Sequence, residues 1–205
     1  MLVREAMTSP VVTIPPSATV RQAIRVLDEH DITALPVVEG TGRLVGIVSE
    51  MDLLRGEFDA DPRAFARPLP SSRTPTPRRV ADVMTRDVRT VRPGADVAEL
   101  AETMMSTRVK SVPVVDGHDV VGIVGRRDLI AVLARGDARI RDDVVTAIAE
   151  YGPPGSGWDV SVDGGVVELR GRADASARRI AGILAQTIPG VTRVSIHGPD
   201  AGRGG

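Results

Sequence analysis

The chain has 205 residues, of which 42% are hydrophobic but only 2% aromatic, and its formal net charge is -1. Its cores must therefore be built from Val, Ile, Leu and Ala, and it cannot supply the row of aromatic faces on which single-stranded nucleic acid stacks. The absence of cysteine excludes disulfides, thiolate nucleophiles and zinc-thiolate sites, and the balanced charge excludes a domain-wide basic field for nucleic acid or lipid.

The opening MLVREAMTSP carries charge at Arg4 and Glu5 and has no apolar run, so no secretion signal is expected there. No later stretch approaches the roughly 20 apolar residues of a membrane span. A cytoplasmic protein is expected. From Met7 a pattern begins that recurs from Met84. Met7, Thr13, Val20, Ile32 and Pro36 return 77 residues later as Met84, Thr90, Val97, Val109 and Pro113, and Gly46 and Asp52 return 76 residues later as Gly122 and Asp128. An ordered repeat of unlike features over this length predicts two copies of one supersecondary unit, each too small to cover its own apolar faces, folding on a shared core.

Each copy reads alike. A short strand is expected around Thr13 and around Thr90. Thr19 to Gln22 and Asp96 to Glu99 both fit a capping box, an oxygen followed three residues later by Gln or Glu. The helices they open present Ala23, Ile24 and Leu27, or Leu100, Ala101 and Met104, on one face, and Met105 reads with Met104 as helix packing. Then come paired strands, ALPVV (34–38) with LVGIVS (44–49), and SVPVV (111–115) with VVGIVG (120–125), joined by Gly-rich turns. A second helix starts near Glu50 or Arg126. Between the copies, residues 55–80 hold Pro62, Pro68, Pro70, Pro75 and Pro77 among many arginines, which defeats helix and central strand and predicts an irregular connector; an alternative is a basic docking tail.

From Gly136 the pattern changes. Ile140, Val144, Ile148 and Tyr151 form a helical stripe that ends before Gly152-Pro153. WDVSV (158–162) and VVELR (166–170) flank Asp163-Gly164-Gly165, a tight hairpin signal. Asp174 caps a second helix carrying Ile180, Leu184 and Ile188, Pro189-Gly190 closes it, and VTRVSI (191–196) alternates as a third strand. The order is α-β-β-α-β.

Chemistry concentrates at Ser49-Glu50-Met51-Asp52, where a strand runs into a helix. Backbone N–H groups there favour a phosphate or sugar oxygen, and a first-turn carboxylate can accept from a vicinal diol; the same Ser-x-x-Asp pattern is also that of a plain helix cap. Asp128 recurs at the matching place while Gly125 replaces the serine, and a ligand diol accounts for keeping the acid without the cap hydroxyl. The other half of each candidate pocket is Ile32, Thr33, Ala34, Leu35 and Pro36, or Val109, Lys110, Ser111, Val112 and Pro113. There a strand edge interrupted by proline is expected to leave main-chain groups unpaired to read a planar ring between apolar walls. In the second copy Lys110, Arg126 and Arg127 can neutralise phosphates, where the first has Thr33 and Glu50, so the second site is expected to prefer more highly charged nucleotides; solvated first-turn arginines are the alternative. No phosphate-binding G-x-x-x-x-G-K motif, Ser-His-Asp set or paired acid and base carboxylates is found, and His30, His118 and His197 are too scattered for a metal site. No enzyme is expected.

On MTSPVVTIPP (7–16), ITALPVVE (32–39) and LVGIVSEMDLL (44–54), with their counterparts MTRDVRTVRP (84–93), VKSVPVVDG (109–117) and VVGIVGRRDLI (120–130), the repeat resembles the cystathionine-beta-synthase (CBS) domain in its tandem form. GGVVELRGRAD (164–174) and PGVTRVSI (189–196) give the last segment a likeness to the BON domain. The resemblance implies an α/β (α+β) fold, a pseudo-symmetric tandem CBS pair with a small α-β-β-α-β BON-like domain. It divides the chain into a first CBS domain at 1–57, a Pro/Arg-rich linker at 58–79, a second CBS domain at 80–135, a BON-like domain at 136–198 and a disordered tail at 199–205. It further implies a non-catalytic sensor with no cofactor that binds AMP, ADP, ATP or S-adenosylmethionine as a regulatory ligand, with Asp52 or Asp128 toward the ribose hydroxyls. The candidate ligand set is therefore Thr13, Ile32–Pro36, Ser49, Asp52, Thr90, Val109–Pro113 and Arg126–Asp128; Gly125 departs from the family pattern. A homodimer is implied, with an adenosine nucleotide and a protein as partners and no specific nucleic acid. The BON-like unit implies weak contact with anionic phospholipid, for which Arg170, Arg172, Arg178 and Arg179 are candidates. The alternative function is a ligand-free dimerisation scaffold docking through that unit.

Overall fold

The computed structural model describes residues 1–55, 57, 78–153 and 157–198. In the first copy the reciprocal cap forms: the Gln22 N–H donates to the Thr19 hydroxyl at 3.2 Å and the Thr19 N–H donates to the Gln22 carboxamide oxygen at 2.9 Å. Two N-terminal donors are thereby satisfied and α1 (Val20–His30) starts there. It buries Val20, Ala23 and Leu27. There follow β1 (Ala34–Glu39), β2 (Arg43–Ser49) and α2 (Glu50–Leu54). The second copy holds α3 (Val80–Val83), α4 (Val97–Thr107), β3 (Ser111–Asp116), β4 (Asp119–Gly125) and α5 (Arg126–Leu133). Its cap differs: Asp96 accepts from the Ala98 N–H at 2.9 Å. The short aspartate reaches the second turn position directly.

Contacts divide the chain into two units, Thr8–Arg92 with Ser111–Ile123, and Met1–Met7 with Pro93–Lys110 and Val124–Gly205. In the first, β1 and β2 form an antiparallel hairpin, irregular between Val37 and Val38, within a sheet of order β1-β2-β4-β3. Its core gathers Ile14, Val20, Ala23, Leu27, Leu35, Val37, Val48, Leu53 and Val80. The copies interlock by exchanging their lead-in segments. Thr8 pairs with Ile123 while Thr85 pairs with Ile47, each through two backbone hydrogen bonds of 2.9–3.2 Å. Gly46 permits the second of these: a Cβ there would lie 2.7 Å from the Met84 sulfur and 3.0 Å from the Thr85 carbonyl oxygen. Arg78, Arg79 and Val80 likewise pair with Ala18–Val20, so the last two residues of the expected linker are ordered by the first copy; the rest of that linker and the 199–205 tail lie outside the described residues. The strands expected around Thr13 and Thr90 shrink to single bridges, Ile14 to Val37 and Val91 to Val114. Pro15-Pro16 and Pro93 follow so closely that no donor remains to extend a ladder.

In the other unit, Val3–Glu5 forms a 3-10 turn whose N–H groups reach Ala95 and Pro93 carbonyls. Helix α4 buries Leu100 and Met104, whereas Met105 is 70% exposed and not a packing residue. Beyond α5 come α6 (Asp137–Tyr151), β5 (Trp158–Asp163), β6 (Val166–Gly171), α7 (Ala175–Thr187) and β7 (Arg193–His197). β5 pairs antiparallel and β7 parallel to β6. Ile140, Val144 and Ile148 are buried as the stripe predicts, while Tyr151 is exposed. On α7 the buried face is Ala177, Ala181, Gly182 and Ala185, not the larger Ile180 and Leu184; a Cβ on Gly182 would come 2.9 Å from Ile196, so the helix lies too close to the sheet for anything bigger.

Asp137 ties the start of α6 to the hairpin turn: its two carboxylate oxygens accept the Gly164 and Gly165 N–H groups, each at 2.9 Å. Both glycines have positive φ, 54° and 76°, as a primed hairpin turn requires. Asp137→Ala is expected to cost about 1–3 kcal/mol, because two charge-assisted bonds to main-chain donors are lost together. Urea unfolding followed by fluorescence of Trp158, the single tryptophan, reads this loss; an unchanged midpoint would show the tie to be dispensable.

Candidate functional site

The two halves of each predicted site are joined by a main-chain hydrogen bond. The Glu50 N–H donates to the Thr33 carbonyl at 3.1 Å, and the Arg126 N–H donates to the Lys110 carbonyl at the same distance. Helices α1 and α4 each end on a residue in left-handed conformation, Asp31 at φ 49° and Arg108 at φ 59°, which turns the chain sharply so that Ile32-Thr33, or Val109-Lys110, meets the next helix start. Thr13 is brought to the strand by its neighbour: Ile14 donates to the Pro36 carbonyl at 3.1 Å and accepts from the Val38 N–H at 3.0 Å. Thr90 stands likewise beside Val91, which bonds Pro113 and Val115. The expected unpaired groups at the proline edges are therefore not found there. The Pro36 and Pro113 carbonyls serve the bridges, and those of Thr33 and Lys110 serve the helix starts.

At the N-terminus of α2 the Ser49 hydroxyl and N–H both donate to Asp52 Oδ2, at 2.6 and 2.9 Å. The serine is thus a donor to the carboxylate and not the cap acceptor that the Ser-x-x-Asp spacing suggested. In the second copy the Gly125 N–H donates to Asp128 Oδ2 at 2.6 Å. Capping the strand-to-helix junction accounts for the retained aspartate without a ligand, since the main-chain donor exists whichever residue stands at Ser49 or Gly125. Both acids are half-buried; Ala34, Leu35, Pro36, Val112 and Pro113 are buried, Leu35 completely and in the core, so its side chain lines no cleft. Thr13, Ile32, Ser49, Val109 and Ser111 are half-buried, and Thr33, Thr90, Lys110, Arg126 and Arg127 are exposed.

A groove of about 260 Å³ opens beside the first motif, slightly below the roughly 300–1,000 Å³ of small-molecule clefts. Ile24, Leu27 and Asp28 of α1, Asp31, Ile32 and Thr33 of the turn, and Glu50, Leu53 and Leu54 of α2 line it. Ile32 and Thr33 belong to the predicted set; Asp28, Asp31 and Glu50 give the rim an acidic character that was missed, although 24, 27, 28 and 31 share one helical stripe. Of the candidate lipid contacts, Arg170 pairs with Glu168 at 3.1 Å and Arg178 is half-buried, while Arg172 and Arg179 are exposed. Among the described residues no group of three or more His, Asp or Glu could hold a metal ion, and no helix is long and apolar enough to cross a membrane.

Residues 3–58 and 80–135 match the CBS domain, over half of the chain, and residues 136–197 match the BON domain. The chain belongs to the CBS-domain family. It is a tandem CBS pair followed by a BON domain. Over 127 residues it is 31% identical to the inosine-5'-monophosphate dehydrogenase of Methanocaldococcus jannaschii, covering 62% of this chain but 22% of that enzyme. It is 28% identical, again over 127 residues, to the CBS domain-containing protein YhcV of Bacillus subtilis, of which 81% is covered. Among solved structures, the CBS pair of protein MJ0100 in complex with 5'-methylthioadenosine and S-adenosyl-L-methionine is 28% identical with a TM-score of 0.52, covering 64% of this chain and 94% of that one. CBSX2 in complex with AMP is also 28% identical, TM-score 0.53, covering 63% and 93%.

Proposed function

We propose that the CBS pair binds an adenosine-containing ligand, AMP, ADP, ATP or S-adenosylmethionine, and relays its occupancy to the BON domain or to a partner protein. The observation that carries this reading is the hydrogen bond joining the Ile32–Pro36 segment to the helix start at Glu50, repeated between Lys110 and Arg126. It supports the reading because it holds the Thr33 or Lys110 segment at the start of the helix that carries Asp52 or Asp128, and a hydroxyl or ammonium with a carboxylate belongs to the polar mixture a nucleoside needs. The adenosine ligands held by MJ0100 and CBSX2 support it. In this reading Asp52 and Asp128 accept from ribose hydroxyls while still capping their helices. Lys110, Arg126 and Arg127 give the second motif a preference for polyphosphates, and Thr33 and Glu50 give the first a preference for ligands of low negative charge.

The relay has a physical path. Helix α5 starts at the Arg126–Asp128 motif, and only Ala134, Arg135 and Gly136 separate it from α6. The Arg135 guanidinium donates to the Pro189 carbonyl at 3.2 Å and pairs with Asp143 at 3.4 Å, fastening the junction to the BON domain. A ligand shifts this arrangement only so far as it binds one state better than another.

Calorimetric titration of the full chain with AMP, ATP and S-adenosylmethionine tests the proposal. Asp52→Asn and Asp128→Asn are each expected to weaken binding at their own motif by about tenfold or more, the value of a hydrogen bond to a charged acceptor. Absence of binding at millimolar ligand by folded protein would defeat the reading. It would leave the second one, a scaffold without a small ligand that docks through its BON domain, which the sufficiency of helix capping for Asp52 and Asp128 favours.

A further inference from the structure

The groove beside the first motif is aliphatic within and acidic at its edges. The buried Leu27 and Leu53 line it, and Leu54, 43% exposed, stands at its opening. Asp28 and Asp31 lie on one wall, at the C-terminal end of α1, and Glu50 lies on the other, at the start of α2. All three acids are exposed, and no basic side chain is among the described residues that line the groove. Among the described residues, no ion pair or side-chain hydrogen bond engages the Asp28 or Glu50 carboxylate. The last carbonyls of α1 add partial negative charge to the same wall. The second copy shows that this charge is no demand of the fold. Asp28, Asp31, Thr33 and Glu50 correspond there to Met105, Arg108, Lys110 and Arg126, so the matching place is basic.

We propose that this groove is a binding site for an aliphatic polyamine, a small molecule whose ammonium groups are separated by methylene chains. One ammonium pairs with Asp28 and Asp31, another pairs with Glu50, and the methylenes between them lie along Leu27, Leu53 and Leu54. No aromatic side chain is among the described lining residues, so the walls suit a flexible hydrocarbon chain better than a stacked ring. A volume of about 260 Å³ likewise suits a slender ligand. The site shares Thr33 and Glu50 with the first motif but does not rest on the adenosine reading.

Titration of the 15N-labelled full chain with spermidine in 50 mM NaCl tests it, and because no nucleotide is present the outcome is separate from that of the adenosine reading. Saturable amide shifts are expected at Asp28–Thr33 and Glu50–Leu54, and none at Met105–Lys110, where the charge is reversed. Hexylamine, with an aliphatic chain but a single ammonium, is expected to bind at least about threefold more weakly than spermidine. Asp28→Asn and Glu50→Gln are each expected to weaken spermidine binding about threefold, the value of an exposed charge pair, and their combination about tenfold, since the two walls hold different ammonium groups. Should either variant lose the wild-type circular dichroism, Asp31→Asn takes its place, asparagine being at ease in the left-handed backbone found there. No saturable shift at millimolar spermidine, shifts of equal size at Met105–Lys110, the same shifts produced by an equal concentration of MgCl2, or a double variant that binds as the wild type does would each overturn the proposal.

Discussion

Leu53→Ala is expected to lower the unfolding free energy by about 2–5 kcal/mol, the range for truncating a buried leucine. Leu53 is 0% exposed, sits in a core with Leu27, Leu35 and Val48, and lies on a helix of only five residues. So short a helix has little stability of its own and is held by what it buries. Its loss would also undo the Glu50 to Thr33 bond and with it the first motif. Urea unfolding followed by circular dichroism should show the midpoint fall, and the Trp158 fluorescence transition should move less, because Trp158 packs on a separate core. A shift below about 1 kcal/mol would mean that α2 does not anchor the first CBS domain.

Gly190→Ala is expected to cost about 2–4 kcal/mol, from a backbone conformation that side chains rarely adopt and from overpacking at once. Gly190 has φ 99°, and a Cβ there would lie 2.9 Å from Ile140 Cδ1 and 3.2 Å from the Arg135 Cβ. Ile140 is buried at the start of α6, and Arg135 is the residue that fastens the α5–α6 junction to Pro189. Here the effect should appear in the Trp158 fluorescence transition. An unchanged midpoint would contradict the close approach on which the proposed relay depends.

The repeat made most of the fold legible before any coordinate. Offsets of 77 and 76 residues fix where a turn can lose a residue, and caps, Gly-rich turns and proline mark each element edge. What escaped was decided by contacts that a single copy does not contain. The exchange of Thr8 and Thr85 between copies could not be read from either repeat alone. The one-residue bridges at Ile14 and Val91 follow from prolines whose effect was underestimated. The alanine face of α7 was hidden because large side chains dominate a periodicity count, while close helix-to-sheet packing selects small ones. At the candidate site the juxtaposition of Thr33 with Glu50 was legible as two motifs belonging together. The direction of the Ser49 hydroxyl was not, since a serine is both donor and acceptor and an ionised aspartate three residues on is the stronger acceptor.

The most direct test is an amide chemical-shift titration of the 15N-labelled full chain with AMP, ATP and S-adenosylmethionine in turn. Saturable shifts are predicted at Thr33, Glu50 and Asp52 or at Lys110, Arg126 and Asp128, with ATP favouring the latter group and smaller changes reaching Arg135 and Gly190. Spectra unaltered by millimolar ligand, or changes confined to residues of the BON domain remote from Arg135, would contradict the account.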